Sequence, residues 1–207
     1  MAPCSNVFWG FPVQSFVEKA LIEARAALDH LAGRRDLTEG IAKVAATLTR
    51  VFREGGRVYS CGNGGSMCDA MHFAEELSGR FRRDRAPLPA LAISDPGHLS
   101  CTANDFGWEH VFSRFLEGHA RAGDALLAIS TSGKSANVLR AAEAARARGV
   151  TVIALTGPEQ SQLAALADIE LAVWTGPFAD RTQELHIKVI HIVIEMIERE
   201  LFPENYR

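Results

Sequence analysis

Between residues 58 and 173, short apolar runs alternate with stretches of helical periodicity, and no other feature of the chain restricts its fold so strongly. The runs fall at 58–61, 88–93, 125–129, 151–155 and 169–173, separated by helical patterns at 66–78, 108–120, 136–148 and the short 160–166. A parallel strand buried on both faces reads as a continuous apolar run, and each crossover between parallel neighbours needs a connection long enough for a helix. The expectation is therefore an α/β three-layer αβα sandwich around a five-stranded parallel sheet, with ligands collecting beyond the carboxyl ends of the strands.

Two helical patterns, 13–31 and 37–54, precede the first run, with Gly33 and the Gly55-Gly56 pair as stops. They define a helical arm over 1–55 and an αβα core over 56–207, a length that fits one domain. The final pattern, 181–201, contains LHIKVIHIVIEMI, apolar on nearly every side. A helix of that kind is buried all round, so it is expected to help build a subunit interface. The stretch 80–89, RFRRDRAPLP, reads as a charged loop whose arginines form a solvated face.

At 47% hydrophobic residues the chain can bury a full core, while a formal charge of -3 leaves no basic stripe for a nucleic-acid backbone. A small ligand bound locally fits this balance better, and no nucleic-acid partner is expected. Cys4, Cys61, Cys68 and Cys101 form no CxxC pair and are read as reduced thiols, which points to the cytoplasm. The first residues, broken by Pro3 and Pro12, lack the basic start of a signal peptide. No apolar run approaches the roughly 20 residues of a membrane-spanning helix, so no membrane association is expected.

After the strand at 58–61 the chain breaks at Gly62, Gly64 and Gly65 and restarts at Ser66 as a helix carrying His72 and Glu76. Free N–H groups and the positive end of the helix dipole make such a turn a cradle for an anion. A second cradle, STSGKS over 130–135, also joins a strand to a helix. Its hydroxyls at Ser130, Thr131, Ser132 and Ser135 are more than a helix cap requires, and they suit a phosphate monoester. Two familiar motifs fail here: a nucleotide P-loop needs glycine where Ala128 stands, and the dinucleotide fingerprint needs glycine where Met67 stands. Neither ATP nor NAD is supported.

His72 and Glu76, four apart, share a helical face with Asp69. On the last helix either Gln183 or Glu184 could share a face with His191. Two histidines, a carboxylate and one further oxygen would suit tetrahedral zinc, with manganese, iron and nickel as alternatives. His30, His98, His110, His119 and His186 have no spacing that recruits them and are read as surface or capping residues. Lys134 and Lys188 could meet a phosphate, but a solvated lysine is the simpler reading.

In order and spacing, the segments SCGNGGS, CDAMHFAEELSGR, LAISD, ANDFGW, ISTSGKSANV, LTG and ADRTQELHIKVIH resemble the phosphoheptose isomerase family of the sugar isomerase (SIS) fold, which is flavodoxin-like. The resemblance covers nearly everything after the first helix and implies one zinc per subunit held by His72, Glu76, Gln183 and His191. It implies that Asn63, Gly64, Gly65, Asn104 and Asp105 line a sugar, the last two from a loop, and that Ser130, Thr131, Ser132 and Ser135 hold its phosphate with Ser66 nearby. A homotetramer with sites shared between subunits is also implied. Met67, where some members have histidine, departs from the pattern, and the segment before about Pro12 has no counterpart.

The implied reaction converts sedoheptulose 7-phosphate to D-glycero-D-manno-heptose 7-phosphate through an enediol, the first step toward activated heptose for lipopolysaccharide or another surface glycan. Glu76 and His191 are assigned as the acid–base pair, with Asp105 orienting a hydroxyl. A ligand that gives its lone pair to zinc is a weaker base, so either Glu76 changes its coordination or the metal chiefly orients the substrate. Other readings are a non-catalytic SIS module that binds a sugar phosphate or a replication initiator protein, and an isomerase of a shorter sugar phosphate. The full set His72, Glu76, Gln183 and His191 favours the enzyme.

Overall fold

The computed structural model describes residues 7–8, 11–173, 176 and 178–207. A short antiparallel pair, β1 (Val7–Phe8) and β2 (Phe11–Pro12), leads into α1 (Val13–Gly33) and α2 (Arg35–Arg53). Then follow β3 (Val58–Cys61), α3 (Gly65–Ser78), β4 (Ala90–Ala92), α4 (Pro96–Phe106), α5 (Ser113–His119), β5 (Ala125–Ser130), α6 (Ala136–Ala147), β6 (Thr151–Thr156), β7 (Ile169–Ala172) and α7 (Ala179–Leu201). The five strands β3 to β7 form one parallel sheet in the order β4-β3-β5-β6-β7. The chain moves outward from β3 to β4, then crosses back to β5 on the other side of β3. The carboxyl ends of β3 and β5 therefore flank the point where the winding reverses, where open α/β sheets bind ligands.

Alternation along β5 builds both layers. Leu127 and Ile129 join the core formed with α2, α3 and α7, and Leu126 and Ala128 join the one formed with α5 and α6. On α2 the stripe Leu37, Ile41, Val44, Leu48 and Val51 is buried, which makes this helix part of the sandwich. By contrast α1 leaves Phe16, Val17, Leu21 and Ile22 exposed, although it touches both α2 and α7.

The structure departs from several expectations. Residues 96–106 form α4, where no helix was expected, because only Thr102 on it is buried and the apolar period is weak. Its start does carry signals: Asp95 caps the helix by accepting the His98 N–H at 2.7 Å, and Pro96 follows. The pattern at 108–120 is split into a 3₁₀ turn, Trp108–His110, and α5. At 160–166 only the 3₁₀ turn Ala164–Leu166 forms, and Gln160 at the start of that stretch adopts a left-handed φ of 55°.

The final helix is not buried all round. Leu185, Val189, Val193 and Ile197 enter the core, while Ile192 and Met196 on other sides remain 37% and 36% exposed. His186 is not a surface residue either: it is fully buried, with Nε2 3.1 Å from the Thr156 carbonyl oxygen, and burial pushes its pKa down to about 4. Nor is 80–89 wholly solvated, because the Arg85 and Glu198 side chains pair at 2.8 Å and are each only 1% exposed. A guanidinium can be buried this deeply only with its donors satisfied, and the end of α3 supplies the acceptors.

Candidate active site

The two glycine turns lie side by side at the carboxyl ends of β3 and β5. In the first, Gly64 takes φ 55° and the Ser66 N–H donates to the Asn63 carbonyl at 3.0 Å, turning the chain into α3. A Cβ at Gly62 would meet the Ser66 backbone at 2.7 Å, so the turn can be this tight only with glycine there. Asn63 exchanges two 2.8 Å hydrogen bonds with Asn137 on α6, which joins the first turn to the helix of the second. Asn137 was not singled out from sequence, although it stands two residues beyond the serine-rich loop.

In the second turn the hydroxyls converge. Ser130 Oγ lies 3.1 Å from Ser135 Oγ and 3.5 Å from Ser132 Oγ, and it accepts the Gly133 N–H at 3.2 Å. Ser135 occupies the N-cap of α6, yet its side chain makes no capping bond. Its hydroxyl is turned toward Ser130, so capping does not account for this loop. Thr131, Ser132 and Lys134 line a cavity of about 320 Å³ with Pro158, Phe178 and Thr182. Gly157 lies against the Thr131 carbonyl, where any side chain would displace the loop.

Farther along α3, His72 and Glu76 meet His191 of α7. His72 Nε2 is 3.0 Å from His191 Nε2 and 3.3 Å from Glu76 Oε1, and one donor atom of each of the three residues lies within 4.8 Å of the others. Phe81 stands beside His191, with ring centroids 5.8 Å apart. This donor set of two imidazoles and a carboxylate fits a divalent metal. Gln183 sits elsewhere, its amide against Gly65 at the first turn of α3, two helical turns before His72. Asn104 and Asp105 are exposed on the last turn of α4, not on a loop; they bond to each other at 2.7 Å, and Asp105 accepts the Cys101 thiol at 3.6 Å.

The surroundings move the pKa values of Glu76 and His191 toward each other. Burial, then the neighbouring Glu75 and in smaller part Glu198, raise the pKa of Glu76 against an opposing pull from His72. Burial, then His72, Lys188 and Arg82, lower that of His191. A carboxylate made more basic and an imidazole held neutral suit proton transfer near neutral pH. Three residues before His72, Asp69 is 7% exposed with Oδ2 unpartnered, and burial raises its pKa from 3.8 to about 6.

Because Asp69 ionises less readily in the folded chain, its penalty is absent below 3.8 and complete above about 6. That interval corresponds to about 3 kcal/mol. In metal-free protein Asp69→Asn is therefore expected to be more stable than the parent by about 1–3 kcal/mol at pH 7.5, with the gap closing near pH 4. Urea unfolding across that range checks it; an equal gap at both ends would mean the carboxyl is not perturbed.

The architecture and this site together define a class. Residues 23–157 match the family model for the SIS domain. Across its length the chain is 53% identical to the phosphoheptose isomerase of Klebsiella pneumoniae over 188 residues, 91% of this chain and 97% of that one. Among solved structures, the phosphoheptose isomerase of Neisseria gonorrhoeae superposes with a TM-score of 0.83 at 37% identity, covering 90% of this chain and 98% of that one. That of Francisella tularensis does so with a TM-score of 0.86 at 30% identity, covering 91% and 100%. The chain belongs to the phosphoheptose isomerase family of SIS-domain proteins.

Proposed function

We propose that this enzyme interconverts sedoheptulose 7-phosphate and D-glycero-D-manno-heptose 7-phosphate, opening a route to activated heptose for a surface glycan such as lipopolysaccharide. The observation that carries the site assignment is the convergence of His72, Glu76 and His191 from two helices. The hydroxyls of Ser130, Thr131, Ser132 and Ser135 take the phosphate, with Ser66 and the N–H groups of Gly64 and Gly65 nearby. From the first turn of α3 to His72 the rise is about 10 Å. A seven-carbon chain with a terminal phosphate can span that interval.

His72, Glu76 and His191 would hold a divalent metal, zinc by the nature of the donors, while Gln183, beside the first glycine turn, would meet the substrate instead. When bound, the ion offsets the negative charge that develops on the substrate oxygens. Glu76 carries the proton between C1 and C2: a carboxylate has two oxygens, so one can serve as a ligand while the other meets the carbon acid. His191, held neutral by its surroundings, serves the hydroxyl protons. Asn63, Asn104 and Asp105 bind the sugar hydroxyls, Asp105 as an orienting group.

The enzyme acts as a homotetramer in the cytoplasm. Supporting this, α1 exposes Phe16, Val17, Leu21 and Ile22, an apolar face that a second copy would cover, and Cys61, Cys68 and Cys101 are free thiols. No helix among the described residues is long and apolar enough to cross a membrane.

NMR of the zinc-loaded protein with sedoheptulose 7-phosphate, fructose 6-phosphate or ribulose 5-phosphate tests the substrate. Turnover of the first is expected, with at least a tenfold loss after chelation that added zinc reverses. Turnover of only the shorter sugars would overturn the substrate assignment, and full activity in chelator would overturn the metal's part in it.

A further inference from the structure

We propose that Arg85 is a positioning residue for the isomerisation: its guanidinium ties the last turn of α3 to Glu198 of α7 and thereby sets the distance from Glu76 and His72 to His191. The proposal rests on the isomerase reading above, in which those three side chains work together while borne on two different helices.

The last carbonyls of a helix have no partner within it. At the end of α3, Arg85 provides one: Nη2 donates to the Glu76 carbonyl at 2.7 Å, and Nη1 to those of Leu77 at 2.7 Å and Gly79 at 2.8 Å. Its third nitrogen, Nε, donates to Glu198 Oε1 at 2.8 Å. The other oxygen of Glu198 accepts the Tyr206 hydroxyl at 2.7 Å, which fixes the carboxylate from the 3₁₀ turn Pro203–Tyr206. All three guanidinium nitrogens are thus engaged, on α3 at the peptide of Glu76 itself and on α7 two turns beyond His191.

Stability alone is a weak reason for this arrangement, because an apolar pair of similar volume often serves as well as a buried ion pair. An apolar pair cannot, however, bond the carbonyl of Glu76. Lysine keeps the charge but concentrates its donors at one point, so it cannot reach both helices in the same way. The three donor side chains depend on relative helix placement to within about half an ångström, the tolerance of a working constellation.

Two variants test the proposal. Arg85→Lys retains the charge, and Arg85→Met with Glu198→Leu replaces the pair by apolar side chains, which keeps a folded comparison available should the first fail to fold. For each, kcat and KM follow from the NMR assay, thermal unfolding from circular dichroism, and donor geometry from Co²⁺ affinity read by its visible absorption. The expected result is a kcat lower by about 10–100-fold with KM within threefold, and Co²⁺ bound about 10–100-fold more weakly. The apolar pair should show these losses while unfolding within a few degrees of the parent. If a folded variant keeps both kcat and Co²⁺ affinity within threefold, Arg85 merely closes a helix end and the proposal is overturned. A parent protein that turns over no sugar phosphate would sink the isomerase reading alone, and Co²⁺ affinity would still decide the role of Arg85.

Discussion

Glu76→Gln is expected to lower kcat by about 10²–10⁴-fold, the contribution of a positioned general base, while KM changes little. The amide keeps the shape of the side chain and one oxygen that can face a metal, but it cannot take a proton from carbon. The parent should lose kcat/KM on acidification as Glu76 is protonated, because it must be ionised to act; burial opposes ionisation, and a bound cation would favour it. In the variant this acidic limb should vanish along with most of the rate. Loss of the C1 deuteron from labelled substrate, followed by NMR at several pH values, measures the step itself. An undiminished rate with metal bound would move the base to another residue.

Ser130→Ala combined with Ser135→Ala should cost about 10²–10⁴-fold in kcat/KM, mostly through KM. Each hydrogen bond to a charged group contributes about 1.5–3 kcal/mol, and two are removed. Because Ser130 Oγ also accepts the Gly133 N–H, the loop should loosen as well, and the double loss need not equal the sum of the single ones. Inorganic phosphate should protect the parent from thermal unfolding and fail to protect the variant. If the variant bound phosphate as well as the parent, the monoester would have to be held elsewhere.

The sheet and its site were legible in the chain to different degrees. Buried parallel strands announce themselves because both faces must be apolar, so β3, β5 and β6 stand out as runs. Helices with little buried surface do not, and α4 was missed although Asp95 and Pro96 mark its start. Glycine and hydroxyl turns between a strand and a helix are also readable, because their chemistry is local. Arg85 was misread for the opposite reason: nothing in RFRRDRAPLP tells one arginine from its neighbours until the ends of α3 and α7 are seen to meet over it. His186 likewise looks like the other histidines until α7 is laid against the end of β6.

Periodicity, glycine turns and spacing along one helix follow from backbone geometry within a few residues, so the parallel α/β architecture, both cradles and the His72–Glu76 pair could be read from the chain alone. Which residues of separate helices touch depends on long-range packing. Folding alone brought His191 to His72, set Gln183 against Gly65, turned Ser135 toward Ser130 and buried Arg85 with Glu198. Contacts of that kind are decided by the fit of whole surfaces, and no short segment encodes them.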